Sequence, residues 1–127
     1  MPADPPPITG LHHVQITIPP GSEDVARAFY VGILGLTEIP KPTSLTDRGG
    51  LWLSVGDVEL HIGIEDGVVR HATKAHVAFA VTDLPGWRLR LQAAGCTILD
   101  GIPIPGNDRL ETRDPFGNRL ELNERIR

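Results

Sequence analysis

His13-Val14-Gln15-Ile16-Thr17-Ile18 returns 63 residues later as His76-Val77-Ala78-Phe79-Ala80-Val81. Val58-Glu59-Leu60 follows the same rhythm, returning 62 residues later as Leu120-Glu121-Leu122. Self-similarity at a nearly constant spacing marks a duplicated structural unit, and each copy here carries one histidine and one carboxylate. Within the first stretch, Val14, Ile16 and Ile18 share one face with His12, while His13, Gln15 and Thr17 share the other. This alternation reads as a strand with an apolar back and a polar front, and a polar front suits a ligand-binding cleft.

Working outward, Pro19-Pro20-Gly21 ends the strand, and Ser22 stands as a helix N-cap with Glu23 and Asp24 in the first turn, where the helix dipole favours negative charge. Val25, Phe29 and Ile33, joined by Ala26, Tyr30 and Leu34, recur at helical spacing, and Gly35 suits the left-handed stop. The spacing predicts a helix of about 13 residues, close to the usual mean. Strands are predicted over Leu36 to Ile39, Gly50 to Val55 and Val58 to Ile64, with Gly56-Asp57 turning between the last two. Lys41 to Gly49 is the longest loop and a candidate flap.

After a polar connector, Glu65 to Lys74, the order repeats. A strand is predicted over His76 to Thr82. A helix follows, capped by Asp83, with Pro85 in its first turn and Leu84, Trp87 and Leu91 on one stripe. Gly95 stops that helix. Strands are then predicted over Cys96 to Leu99, Asp108 to Thr112 and Arg119 to Leu122, the last two joined by the turn Asp114-Pro115-Phe116-Gly117-Asn118. The chain therefore reads as an α+β fold of two βαβββ modules, about 9–65 and 75–127, in a single domain over 9–127. Residues 1–8, with Pro5-Pro6-Pro7, read as a flexible arm of extended polyproline character.

Composition narrows the function. Twelve Lys and Arg stand against 16 Asp and Glu, a net charge of -4, and no long basic run is available to neutralise phosphates, so nucleic acid is not the expected partner. No apolar run approaches the roughly 20 residues needed to span a bilayer. The lone Cys96 has no partner for an intramolecular disulfide, and Met1-Pro2-Ala3-Asp4 lacks the basic and apolar regions of a secretory signal. A cytoplasmic protein is the expectation.

In each module the histidine lies on the first strand and the glutamate on the last. If approximate twofold symmetry relates the modules, the four groups can converge on one point between them. Two imidazoles and one or two carboxylates suit a divalent metal ion such as Zn, Ni, Co, Mn or Fe(II), with positions left for water or substrate. His12, on the opposite face from His13, is expected at the rim or in packing; His71, beside Arg70, is expected in solvent. Trp87 reads as core and Cys96 as a small buried side chain, whereas Trp52, alternating with Leu51 and Leu53, is a candidate to line the cleft. Arg109, ahead of Arg113, is a candidate to bind an anionic substrate.

Gly10-Leu11-His12-His13-Val14, then Phe29-Tyr30 with Leu34-Gly35-Leu36, then Lys74-Ala75-His76-Val77-Ala78-Phe79, and finally Asp114-Pro115-Phe116-Gly117-Asn118-Arg119-Leu120-Glu121-Leu122 together resemble the vicinal oxygen chelate superfamily. That superfamily holds glyoxalase I, fosfomycin-resistance enzymes, bleomycin-resistance proteins, methylmalonyl-CoA epimerase and extradiol dioxygenases. The resemblance runs from about Gly10 to Glu124. It implies a paired, curved mixed sheet around a cleft, with helices on the outer face. It also implies metal ligands at His13, His76 and Glu121, with a remaining first-module position that falls to Glu59 or His61.

The activity so implied is that of a glyoxalase-like lyase or isomerase, in which the metal chelates adjacent oxygens of a small-molecule substrate. Glu121 or Glu59 would move protons, and His61, Trp52 and Arg109 would contact substrate. A bleomycin-resistance-type protein that sequesters a ligand without catalysis is the alternative, as is a relative of the extradiol dioxygenases or fosfomycin thiol transferases. A homodimer is the expected assembly.

Overall fold

The computed structural model describes residues 3–126; residues 1 and 2, at the start of the expected arm, and residue 127 lie outside it. Two four-stranded mixed sheets form the α+β fold, one from each module. The first contains β1 (His13–Ile18), β2 (Thr37–Ile39), β3 (Leu51–Val55) and β4 (Val58–Ile64) in the order β1-β4-β3-β2. The second contains β5 (His76–Ala80), β6 (Ile98–Asp100), β7 (Asn107–Arg113) and β8 (Arg119–Arg125) in the order β5-β8-β7-β6. In each, the first strand runs parallel to the last and the rest are antiparallel. A parallel pair needs a long crossover, and each module's helix supplies it.

Alternation along the strands sorts the residues as the sequence predicts. Leu51, Leu53, Leu60 and Ile62 from the first sheet, and Phe79, Leu110, Leu120 and Leu122 from the second, are buried in one core. The opposite faces carry the polar residues, among them His13, Gln15, Glu59 and His61 in the first sheet and His76, Arg109 and Glu121 in the second. Burial of the apolar face also pins the register, because a slip by one residue would turn every such side chain outward.

The first crossover departs from a regular helix. Helix α1 (Glu23–Arg27) widens into a π-helical segment (Ala28–Ile33), where the Leu34 amide donates to Phe29 O, five residues back, at 2.9 Å. The extra residue per turn lets neighbouring Phe29 and Tyr30 both enter the core, at 2% and 0% exposure, while Val25 is left 50% exposed rather than on the expected apolar stripe. Ser22 does not cap through its side chain; its hydroxyl donates to Pro19 O instead. Helix α2 (Leu84–Ala93) follows expectation, with Asp83 accepting from the Gly86 amide at 3.2 Å and Leu84 and Leu91 buried. Glu124, from β8, adds two acceptor oxygens at the same helix start, for the amides of Asp83 and Leu84. These two bonds hold its carboxyl below the usual range.

The expected turn at Asp114–Asn118 does more than reverse the chain. Asp114 Oδ1 accepts from the amides of Phe116 and Asn118, and its Oδ2 accepts from Asn118 Nδ2 and, across the module boundary, from Tyr30 Oη at 2.7 Å. Asn118 Nδ2 and the buried Arg70 Nε both donate to Thr17 O on β1. The modules are thus joined by an apolar core and by a small set of buried polar contacts.

Candidate metal centre and cleft

The sheet register places the histidines and carboxylates, and it corrects the repeat as the letters present it. In the first sheet His13 pairs with Glu59 and Gln15 with His61; in the second, His76 pairs with Arg119 and Ala78 with Glu121. With the histidines superposed, the counterpart of Glu121 is His61, and that of Glu59 is Arg119. The text repeat Val-Glu-Leu and Leu-Glu-Leu is therefore two residues out of step with the structural one. Two glutamates in similar letters do not share a register because the modules differ in length between their first and last strands: His61 lies 48 residues after His13, whereas Glu121 lies 45 after His76.

On the first sheet three rings lie in a column. Trp52 stacks on His61 with centroids 3.9 Å apart and planes 1° apart, and His61 stacks on His13 at 4.0 Å and 15°. Pairing of Trp52 with His61 across β3 and β4, and of β1 with β4, fixes that column. His61 Nε2 lies 2.9 Å from Glu59 Oε1. A carboxylate oxygen accepts, so Nε2 carries the proton in that contact, and the neutral ring then keeps its lone pair on Nδ1. Glu59 lies below its ordinary carboxyl pKa, chiefly through this hydrogen bond and further through the nearby His12, His61 and His13, although desolvation works the other way. His12, expected on the far side, bends round so that its Nδ1 meets His13 Nδ1 at 2.9 Å. It is a rim residue in contact with the cleft.

On the second sheet His76 Nε2 lies 3.7 Å from Glu121 Oε1. His76 Nδ1 donates to Lys74 O at 3.0 Å, which fixes the tautomer with its lone pair on Nε2, on the side of Glu121. Glu121 is 7% exposed. Desolvation alone would raise its carboxyl, but hydrogen bonds from Asn123 and Arg109, with the positive charge of Arg109, outweigh it and hold the pKa below the ordinary value. Arg109, expected to face substrate, is engaged here: Nη1 donates to Glu121 Oε1 at 2.9 Å, and Nε and Nη2 both donate to Ile102 O. Sequence reading missed this link, although Arg109 and Glu121 lie on strands that a hairpin joins.

The expected convergence of all four groups is not found within one chain. Among the described residues, no set of three or more His, Cys, Asp or Glu side chains lies close enough to hold one metal ion. His13 and His76 stand on separate four-stranded sheets. What the second face offers still fits a divalent ion. Ligand atoms at bond lengths of about 2.0–2.2 Å lie roughly 3–3.5 Å apart around one ion, so the His76–Glu121 spacing needs only a small closure. The His76 hydrogen bond to a backbone carbonyl is of the kind that orients ligating imidazoles.

A cleft of about 520 Å³ opens on the first face, lined by His12, His13, Gln15, Trp52 and His61 and, from the expected flap, by Lys41, Leu45 and Arg48. That flap is a 3₁₀ turn (Thr43–Arg48), tied at its base by Lys41 Nζ donating to Gly49 O. Gly49 and Gly50 have φ of +71° and +81°, and a Cβ at Gly50 would collide with the backbone oxygen of Ile62. Trp87 packs against the core, His71 is exposed, and Cys96 is half-buried, with burial raising its thiol pKa. No helix among the described residues is long and apolar enough to cross a membrane.

Comparison with known proteins agrees with this architecture. A sequence model described as the Glyoxalase/Bleomycin resistance protein/Dioxygenase superfamily matches residues 10–122. The chain is similar, at 40% identity and a TM-score of 0.90, to a crystal structure from Bacillus anthracis described as a glyoxalase family protein, over 97% of this chain and 100% of that one. In fold it is similar to a lactoylglutathione lyase from Agrobacterium tumefaciens, at 20% identity and a TM-score of 0.71, over 93% and 95% of the two chains. It is similar in fold also to a point mutant of the fosfomycin resistance protein FosX from Listeria monocytogenes, complexed with Mn(II) and 1S,2S-dihydroxypropylphosphonic acid. There the identity is 20% and the TM-score 0.77, over 94% of each chain. No curated protein matches.

Proposed function

The chain belongs to the Glyoxalase/Bleomycin resistance protein/Dioxygenase superfamily, and from that premise we propose that it is a divalent-metal-dependent enzyme of the glyoxalase-like lyase or isomerase class. The observation that carries the reading is the His76–Glu121 pair, an oriented imidazole and an ionised carboxylate 3.7 Å apart on one open sheet face. His13 is the third ligand in this reading, and His61 or Glu59 stands beside it. Because His13 lies on the other sheet, a homodimer that lays the second face of one chain over the first face of its partner would bring the set together. A small-molecule substrate with two adjacent oxygens would bind in the cleft between them.

A divalent ion held by these residues would supply a Lewis acid for the adjacent oxygens. The chain's own groups do the rest. Glu59, kept ionised by its contact with His61, is a proton acceptor at neutral pH. Trp52 and His61 form a flat wall for the substrate, and Arg109 holds Glu121 in place and charged. A cytoplasmic location belongs to the same reading and is supported by the single cysteine.

The parallel Trp52–His61–His13 column favours a second reading, in which the cleft sequesters a planar ligand without turnover, as bleomycin-resistance proteins do. Metal analysis of the purified protein, followed by assays of hemithioacetal isomerisation, thiol transfer to fosfomycin and catechol cleavage with the metal restored, separates the two. Stoichiometric metal with turnover in one assay supports the enzyme; protein that binds no divalent ion sinks it.

A further inference from the structure

We propose that the cleft beneath the Thr43–Arg48 turn is an oxyanion subsite, so that the substrate carries a carboxylate, phosphate or phosphonate group held by Arg48 and the side-chain amide of Gln15. This rests on the small-molecule reading above and narrows it to a class.

Charge is the first ground. The chain as a whole is acidic, at -4, yet Lys41 and Arg48 line the cleft, and the two carboxylates at its wall are engaged, Glu59 by His61 Nε2 and Glu23 by the Gly50 amide. Lys41 is spent on Gly49 O, where it closes the flap's base and adds to the positive field. Arg48 is free: among the described residues it makes no ion pair and no hydrogen bond, and it is exposed at the end of the turn. A guanidinium offers several N–H donors in a planar fork that matches the two oxygens of a carboxylate or phosphate. Arg109, the other arginine considered for this task, is taken up by Glu121 and Ile102 O.

Shape is the second ground. Two successive left-handed glycines, Gly49 and Gly50, hold the turn against β4, and no side chain fits at Gly50. On the floor, Gly63 leaves room for the Gln15 amide; a Cβ there would lie 2.8 Å from Gln15 Nε2. That amide has no hydrogen-bond partner among the described residues, so it is a second donor available to a ligand. The Trp52–His61–His13 column forms the adjoining wall, which places an oxyanion at one end of a flat substrate.

The test is an NMR titration of metal-free protein with inorganic phosphate and, separately, with acetate, at ionic strength held constant with chloride. Phosphate is expected to shift the amides of Gly49 and Gly63 and the indole N–H of Trp52. Arg48→Gln is expected to weaken phosphate binding at least about fivefold, and Arg48→Lys to recover part of the loss because it restores the charge without the fork. Preference for phosphate over acetate assigns a phosphate-type group, and the reverse assigns a carboxylate. Equal affinity in wild type and Arg48→Gln, with the remaining spectrum unchanged, overturns the proposal, as do shifts confined to the second module. Mn(II) affinity measured on the same samples keeps the readings apart: phosphate binding without Mn(II) binding leaves the subsite and sinks the metal enzyme, and the reverse sinks the subsite alone.

Discussion

His61 occupies in the first sheet the register position that Glu121 occupies in the second, each standing two residues along its strand from the partner of the module's histidine. The two modules therefore present unlike groups at equivalent places, an imidazole in one and a carboxylate in the other. An ion bound between such faces meets an asymmetric donor set, and the individual substitutions should differ accordingly.

Metal affinity is the direct test of that asymmetry. His13→Ala, His76→Ala and Glu121→Ala should each weaken Mn(II) or Zn(II) binding by more than the roughly 10–100-fold expected for loss of an outer-shell partner. His61→Ala should cost more than Glu59→Ala. Calorimetric titration reads all five, and a Glu59→Ala effect larger than that of His61→Ala would reverse the register argument.

Mixing decides whether the set is shared between chains. Neither the His13→Ala nor the Glu121→Ala homodimer should bind metal tightly. If ligands cross the interface, a refolded equimolar mixture should regain about a quarter of the wild-type sites, since half the dimers are mixed and each mixed dimer has one intact site. No recovery would show that each chain completes its own site.

Tyr30 and Asp114 bind the modules together. Burial raises the Tyr30 hydroxyl well above its ordinary pKa, and the negative charge of Asp114 and the hydrogen bond to it push the same way. The folded state thus favours neutral tyrosine, and the stability this contributes is present below about pH 10 and is lost as pH rises toward the folded value. Tyr30→Phe should cost about 1–3 kcal/mol at neutral pH, through a buried carboxylate deprived of a donor. It should also flatten the alkaline fall in denaturant midpoint; an unchanged alkaline profile would refute the assignment.

Glu121 has the opposite sign. Its carboxyl is depressed in the folded state, so its contribution is present above the unfolded pKa and is lost as pH falls through the folded one. Arg109→Gln removes a hydrogen bond and a positive charge, and the Glu121 carboxyl should then titrate at higher pH. Carboxyl ¹³C shifts followed from pH 7 downward measure it, and no upward movement would show that Asn123 and His76 suffice.

Gly50 tests the flap by shape alone. A Cβ there overlaps the Ile62 carbonyl at a positive φ, so Gly50→Ala should destabilise the fold by more than the about 1–3 kcal/mol of a strained backbone position alone. Chemical denaturation reads it, with Gly56→Ala as the comparison, where φ is +57° but the Cβ meets open space.

The order of elements was open to reading because it depends on local rules: alternation in β1 and β4, Gly56-Asp57 between β3 and β4, Asp83 and Pro85 at the start of α2. The residues of the two open faces were legible for the same reason, since strand alternation assigns His13, His61, His76 and Glu121 to the polar side. The π-widening at Ala28–Ile33 was not legible, because which residues enter the core there is settled by what packs against them. Nor was the occupation of Arg109 by Glu121, which is a contact between side chains on neighbouring strands.

The sequence by itself determined that there are two like modules, that each has an apolar and a polar sheet face, and which histidines and carboxylates lie on the polar ones. Periodicity of two in a strand is a property of the chain and needs no partner. Only the tertiary structure decided that His61, not Glu59, is the counterpart of Glu121, and that no three of these ligand groups gather at one point among the described residues. Register is set by the length of chain between paired strands and by burial of the opposite face, and the placing of the two sheets by how they pack on their shared core, so neither is written in the spacing of the letters.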